Sequence, residues 1–402
     1  MKLRTIIFIA VPLITGIIAS ATGFSLLWRL FILSLLVPLI GFLWSFISIR
    51  NIHGEIGSLP RKNQIGDILE NSLKLTNRSK IPKLMLKVQE ITDLPGYSNI
   101  ATANISPGSS LNLQSKVVCS KRGRYSLGTY VMSISDPLGL FEQSRKFGKP
   151  QSILIYPKAF DLPFFDPLTY ISNGYGAGKW LSSQISPNVA SIREYVSGDS
   201  LKHIHWHTTA HSSNLMVKVF DPDRSRSTAK SIWVVLDMQE TTQAGSDAES
   251  TEEYGIAITA SIVKKFIELG WPVGLIARGD QRVMFNLETS GGHLENINTA
   301  LTTLKARGQV PVDQIVNEEP GRFDLNTLTI VITPSWNDKM VTSLLQIRRQ
   351  MGVVVAILLD SSSFGGPRRT KGIPVSLLQN GVQVYVVKKG DNLVTSLDSR
   401  KL

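Results

Sequence analysis

With a single cysteine in 402 residues, Cys119, the chain can form no intramolecular disulfide and no cysteine-rich metal site. Cys119 lies in the alternating run LNLQSKVVCS, where a strand would bury a plain thiol. Neither HExxH nor GxxxxGK[ST] occurs. The glycine-rich SNGYGAGKW, with Gly174, Gly176, Gly178 and Lys179, does not stand between a hydrophobic strand and a helix, so it reads as a surface connector. Acidic residues are short as well: 31 Asp plus Glu against 43 Lys plus Arg leave a formal charge of +12. No basic helix, finger spacing or aromatic-interleaved basic strand accompanies that excess. Nucleic acid is therefore not the expected partner, and the charge suits a soluble region beside anionic lipid headgroups.

Apolar residues, at 43%, are plentiful but unevenly placed. Ile6 to Ala21 and Leu26 to Ile49 are nearly uninterrupted apolar runs, separated by small residues around Thr22 and Gly23. A spanning helix needs about twenty residues. The second run meets that, and the first does so when extended from Leu3 into Thr22. The alternative for the first run is a cleaved signal peptide, since Lys2 and Arg4 precede it and Ile18-Ala19-Ser20-Ala21 offers small residues; the second run still predicts an anchor. Lys2 and Arg4 lie before the pair, and Arg50, Arg61 and Lys62 after it. The positive-inside tendency then puts both ends in the cytoplasm, with Arg29 snorkelling to the interface. A multi-pass protein of the plasma or inner membrane is expected, its soluble domains cytoplasmic.

The rest of the chain divides into three stretches. From about Gly57 to Tyr156, the runs ILENSLKLTN, KLMLKVQEI, SSLNLQSKVVC, GTYVMSISD and SILIYP alternate in character between Gly, Pro, Asn and Ser, which predicts a small antiparallel β-sandwich over 57–156. Arg122-Gly123-Arg124-Tyr125 reads as a turn between two strands, where the two arginines suit a basic peptide or lipid contact if they are not simply part of the fold. Asp136-Pro137-Leu138-Gly139-Leu140-Phe141 is a second turn, in which Asp136 can accept backbone hydrogen bonds and Pro137 and Gly139 fix the bend. Residues 157–224 form a connector. After it, over 225–402, apolar strand cores (SIWVVLD, PVGLIAR, TLTIVITP, VVVAILLD, VQVYVVKK) alternate with amphipathic helices. That pattern predicts an α/β domain with a mostly parallel sheet covered on both faces. The whole chain is multidomain α+β. Asp237 ends the first strand of the last domain, the edge where open sheets place ligand sites.

The connector holds the densest polar cluster, SIREYVSGDSLKHIHWHTTAHSSNLMVKV, over 191–219. Four of the six histidines fall here, with His53 and His293 outside it. Imidazoles together with Asp199 are plausible zinc or iron ligands, but His203, His205 and His207 share a side only if the segment is a strand. The plainer expectation is a polar turn tied down by Arg193, Glu194 and Asp199, with Trp206 packed beneath it.

The pattern RExxxGDxxKxIxW, made by Arg193, Glu194, Gly198, Asp199, Lys202, Ile204 and Trp206 and followed by Ala210 and Leu215, resembles the signature of the bacterial membrane-associated DUF58 family. The RGRY and DPLGLF stretches resemble upstream elements of that family. Two positions depart from it: Lys202 stands where Arg is usual, and His207 where a basic side chain is. Lys keeps the charge without the two-pronged guanidinium geometry. The resemblance implies a von Willebrand factor A-like terminal domain. Its metal-adhesion motif DxSxS would fall on Asp237, Gln239 and Thr241, with Gln239 lending a carbonyl oxygen to a weakly held magnesium ion. It also implies association with a MoxR-type AAA+ ATPase. The expected function is a non-catalytic membrane-anchored scaffold or adaptor. The alternatives are a metal-dependent hydrolase using Asp199 or Asp237 with the neighbouring histidines, and a module that binds an envelope component.

Overall fold

Leu3–Thr22 forms helix α1 and Ser25–Ser48 forms helix α2, and Gly23 turns the chain between them in the left-handed region at φ +66°. Its amide donates to Ala19 O at 3.0 Å, a glycine helix stop. The computed structural model describes residues 3–58, 60, 62–167, 189–196, 199, 203–212, 214–220, 231–323, 327–349, 353–367 and 372–401, which divide into the units Met1–Tyr156 and Pro157–Leu402. Helix α2 is long and apolar enough to cross a membrane. One stripe of it is covered. Phe31 and Ser34 meet Gly16 and Thr15 of α1, and Gly41, Ser45 and Ser48 are buried further along. Most of the other large apolar side chains between Leu26 and Ile47 face outward, while Leu27, Val37 and Trp44 are half-buried.

The rest of the first unit is β-structure, because period-two alternation gives each strand one apolar face. The strands are β1 (Ile52–Ile56), β2 (Lys62–Gln64), β3 (Ile68–Asn77), β4 (Lys83–Ile91), β5 (Ile100–Ile105), β6 (Ser110–Val118), β7 (Gly123–Leu127), β8 (Thr129–Ser135), β9 (Glu142–Phe147) and β10 (Gln151–Tyr156). They form sheets ordered β1-β3-β6, β2-β10-β7 and β5-β4-β8-β9, antiparallel except for the β2–β10 pair. Leu73 and Leu75 of β3 share a core with Leu86, Val88, Met132 and Ile134 of β4 and β8. A second cluster holds Leu69, Cys119, Ile153 and Ile155, and burial there pushes the Cys119 thiol up. Glu90 is buried but accepts from Tyr97 Oη at 2.7 Å and Gly128 N at 2.8 Å, so it is well satisfied. Burial, together with that carboxylate, pushes Tyr97 up to about 12.

In the second unit β11 (Val189–Glu194) pairs with β12 (Met216–Phe220), and short helix α3 (Trp206–Ser212) lies between them in sequence. A six-stranded sheet follows. Its strands are β13 (Ser231–Leu236), β16 (Val273–Arg278), β17 (Arg282–Glu288), β18 (Thr327–Thr333), β19 (Val353–Leu359) and β20 (Gln383–Val387), and a two-residue ladder of β14 (Gly245–Ser246) and β15 (Glu249–Ser250) stands apart. The order is β17-β16-β13-β18-β19-β20, parallel except for the edge strand β17. The sheet is thus mixed, with a hairpin edge that the apolar runs do not announce. Ile232, Val234 and Leu236 face α4 (Thr251–Glu268) and α5 (Gly291–Thr303), while Trp233 and Val235 face α6 (Val312–Glu318), α7 (Asp338–Arg349) and α8 (Ile373–Gln379). Each strand is apolar on both sides because each side is covered. The chain leaves β13 first toward β16 and then crosses to β18 on the other side, so the order of strand addition reverses between the parallel strands β13 and β18.

Candidate functional site

Hydrogen bonds at both ends of the excursion between β11 and β12 fold it back on the ladder. Ile204 bridges Val217, both buried, and His205 N donates to Met216 O at 2.8 Å. Thr209 Oγ1 accepts from Met216 N at 3.0 Å. His205 precedes α3 and caps it: its Nδ1 accepts from Thr208 N at 3.2 Å and meets Thr208 Oγ1 at 2.7 Å.

Across the start of the excursion, Arg193 grips Asp199. Its Nη1 and Nη2 donate to Asp199 Oδ2 and Oδ1, each at 2.7 Å, a two-pronged pair with geometric as well as electrostatic content. Asp199 Oδ2 also accepts from Val196 N at 2.9 Å, and Arg193 Nη1 donates to Glu194 O at 3.0 Å. The guanidinium holds the Asp199 carboxyl below the usual carboxylate range. Asn214 Nδ2 donates to Glu194 Oε1 at 3.0 Å, so a residue outside the recognised pattern secures its glutamate. Gly198 and Lys202 lie outside the described residues, as do Gly174 and Lys179 of the connector.

The turn is tied down by these contacts, but Trp206 is not beneath it. Trp206 is 68% exposed, and Val196 (62%), Leu215 (44%) and Ile192 (37%) are exposed too. The expectation of a packed tryptophan fails because a helix begins at that residue and the strand phase ends. The same helix replaces the strand spacing of the histidines: ring centroids of His207 and His211 lie 5.1 Å apart, one helical turn along, and those of His205 and His207 lie 6.2 Å apart. Among the described residues no group of three His, Cys, Asp or Glu side chains is placed to hold a metal ion.

The second polar locus is the carboxyl edge of the sheet, where the order of strand addition reverses. Asp237 follows β13 and is buried. Thr333 Oγ1, at the end of β18, donates to Asp237 Oδ2 at 2.6 Å, and Gln239 N donates to Oδ1 at 3.0 Å. Gln243 Nε2 donates to the Asp237 carbonyl at 3.1 Å, and Thr251 Oγ1 donates to Gln243 Oε1 at 2.7 Å. Ser335 N donates to Thr333 Oγ1, extending the network along the next loop. Burial pushes the Asp237 carboxyl up to about 6, against the two donors that pull it down. Thr241 lies in a tight turn, Glu240–Thr242, and is exposed. Of the three motif positions Asp237 is buried and Thr241 exposed, and the Asp237 carboxylate accepts from the Thr333 hydroxyl and the Gln239 amide. Thr333 lies far along the chain, and only the TPS that ends its apolar run marks it.

In the first unit, Arg122 is 1% exposed and so not a surface cation, while Arg124 is exposed within β7, whose first residue is Gly123. Asp136 is buried and accepts from Leu138 N at 3.0 Å and Phe141 N at 2.6 Å, and Gly139 adopts φ +67°. That turn is fixed from within.

Residues 191–365 match the family model described as Protein of unknown function DUF58, and so take in both the hairpin and the Asp237 edge. The Uncharacterized protein YeaD of Bacillus subtilis (strain 168) is 22% identical over 276 residues, covering 67% of this chain; this chain spans 64% of that relative's length. Among solved structures, a beta-glucosidase from Listeria innocua matches 26% of this chain and 16% of its own at 12% identity and TM-score 0.18. The complex of Zinc 2-glycoprotein with Prolactin inducible protein from human seminal plasma matches 26% of this chain and 94% of that one, at 12% identity and TM-score 0.22. Structural overlap at that level bears on neither fold nor function.

Proposed function

We propose that this chain is a non-catalytic, membrane-anchored adaptor that recruits a protein partner through the hairpin of β11, β12 and α3. The observation that carries the reading is the exposure of Trp206, at 68%, on a backbone held by Arg193–Asp199, the His205 cap and the Thr209 contact. An exposed tryptophan on a preorganised surface is the kind of group that dominates protein–protein affinity, because little ordering cost remains when the partner docks. Val196 and Leu215 supply apolar surface at the same end of the ladder, since Tyr195 N donates to Leu215 O.

The resemblance stated on the signature residues suggests the partner, a MoxR-type AAA+ ATPase. It also suggests a von Willebrand factor A-like reading of the second unit's sheet, which the reversal between β13 and β18 and the position of Asp237 favour. The anchor in this reading is α1 with α2, a multi-pass hairpin in the plasma or inner membrane, with both soluble units in the cytoplasm. The hydrolase alternative would draw on Asp199 or Asp237 with the histidines near Trp206; the Asp199 oxygens already accept from Arg193, and His205 Nδ1 meets Thr208 Oγ1.

Capture of a purified MoxR-type ATPase by the detergent-solubilised full chain tests the recruitment. Trp206→Ala should weaken capture by about 2 kcal/mol or more while leaving the unfolding midpoint in place. Undiminished capture by that variant would remove the hairpin from the interface. Protease added to sealed, right-side-out membranes should spare the soluble units, and their digestion from outside would reverse the orientation.

A further inference from the structure

The first unit carries apolar side chains in the open at one end of its sheets, and that end is the one from which α2 emerges. Strand β1 starts at Ile52, just beyond α2, and pairs with Asn77 at the end of β3. Strand β4 begins at Lys83 after the intervening turn and runs away from this end, while β8 runs back toward it, Lys87 pairing with Ser133. Leu84, Met85 and the turn after β8 thus belong to the α2 end. Three observations concern what that end displays.

The turn Asp136–Phe141 packs on the side of α2, not beyond its tip. A Cβ at Gly41 would lie 3.1 Å from Asp136 Oδ2, and the Phe42 and Phe141 rings meet edge to face at 5.6 Å. From Gly41 to Ser48 the helix rises about 10 Å. The turn consequently stands alongside the last two turns of a helix most of whose large apolar side chains are exposed. Trp28 and Trp44, the residues of the type that settles at membrane interfaces, are separated by about 24 Å of helix, near the roughly 30 Å of a hydrocarbon core. The turn falls within one helical turn of Trp44, on the side toward the helix middle, which in the spanning reading of α2 is close to the headgroup–acyl boundary that Trp44 would mark. Leu138, at its apex, is 49% exposed.

The second observation is a bulge in β4. Its pairing with β5 shifts register between Lys83 and Leu86, and Met85 takes φ +51°, a left-handed conformation unfavourable for a side chain of that size. Asn104 Oδ1 accepts from Met85 N at 2.7 Å and holds it there. The result is Met85 at 65% exposure and Leu84 at 43%. A bulge that costs backbone strain to place methionine in water makes physical sense where the methionine does not stay in water. The third is charge. Arg50 and Arg78 are exposed beside each other at this end, Arg78 N donating to Asn51 O, and Lys80 is exposed in the same turn. Cations flanking a spanning helix are drawn to anionic headgroups.

Resting on the reading of α2 as a membrane anchor, we infer that Leu84, Met85 and Leu138 form an interfacial rim that enters the headgroup–acyl boundary of an anionic bilayer, so that the β-sheet unit stands on the membrane instead of hanging from a free tether. Buried Lys83, whose Nζ donates to Arg50 O at 3.1 Å just after α2, fixes the strand that bears the bulge to the helix end.

The test uses the full chain with Cys119→Ala, carrying a single cysteine labelled with the polarity-sensitive fluorophore NBD and reconstituted in nanodiscs of equal parts phosphatidylcholine and phosphatidylglycerol. Met85→Cys and Leu138→Cys should emit further to the blue than Ser98→Cys, which lies after the opposite end of β4, and should be quenched by a shallow spin-labelled lipid. Leu36→Cys, in mid-helix, reports the anchor separately through a deep spin-labelled lipid. If Leu36→Cys is quenched while both rim positions behave like Ser98→Cys, the rim is wrong and the anchor stands. If Leu36→Cys itself shows no quenching, the anchor fails and the rim fails with it.

Discussion

Two aspartates in the second unit do opposite things with the same chemistry. Asp237 and Asp199 each accept a nearby backbone amide, Gln239 N at 3.0 Å and Val196 N at 2.9 Å. Asp237 is sealed in the sheet edge with a threonine hydroxyl for company, and burial drives its carboxyl up to about 6. Asp199 sits partly in solvent against a guanidinium, and its carboxyl is held low. One environment penalises the charge and the other rewards it. A buried acid of the first kind organises a loop junction. A partly exposed acid of the second kind, paired to a guanidinium, organises a surface, and around it the apolar side chains stay in water. That contrast is why the hairpin, and not the sheet edge, is proposed as the docking element.

The largest effect that can break the contrast is the pH dependence of the sheet edge. The folded value for Asp237 exceeds its ordinary value of 3.8, so the folded state binds the extra proton between the two. Its contribution to stability is complete below about pH 4 and is lost as pH rises through about 6, a change of about 3 kcal/mol. Hydrogen exchange at β13 amides should show wild-type protection falling over that range relative to Asp237→Asn. A difference profile that stays flat would mean the carboxyl is not sealed. Thr333→Val removes one donor while keeping the shape. It should cost about 2 kcal/mol at pH 7 and move the same slope to higher pH, because the ionised form loses a bond that the neutral form needs less.

Apolar runs made much of the second unit legible. SIWVVLD, PVGLIAR, TLTIVITP, VVVAILLD and VQVYVVKK each contain a strand, and in the first unit ILENSLKLTN and KLMLKVQEI coincide with β3 and β4. What escaped is what lacks an apolar face or depends on distant pairing. Edge strand β9 reads EQSRKF, too polar to stand out, and β17 is an antiparallel addition to a parallel sheet. The bond between Thr333 and Asp237 joins residues 96 positions apart, and no spacing within one chain displays it. The tethering of Arg193 to Asp199 was readable because it is local. The exposure of Trp206 was not, since a strand ends and a helix starts beside it, and the phase of the pattern changes at that boundary.

The smallest effect sharpens the comparison most, because it has the reverse sign. Asp199 titrates lower in the folded chain than unfolded, so its contribution is present above the ordinary carboxylate range and disappears as pH falls through the folded value. Solvent screens an exposed pair, and global stability should hardly register the loss. The Val196 amide reports it locally, since Asp199 Oδ2 is its acceptor. Its protection, corrected for intrinsic exchange, should hold steady from pH 7 to pH 5, where β13 is gaining, and decline only in more acidic solution. Arg193→Lys should abolish that step at unchanged charge, since an ammonium cannot bridge both carboxylate oxygens in the guanidinium's planar fork. If Val196 protection instead rose with acidity in parallel with β13, the two aspartates would share one environment, and the hairpin would lose its claim to be a separately organised surface.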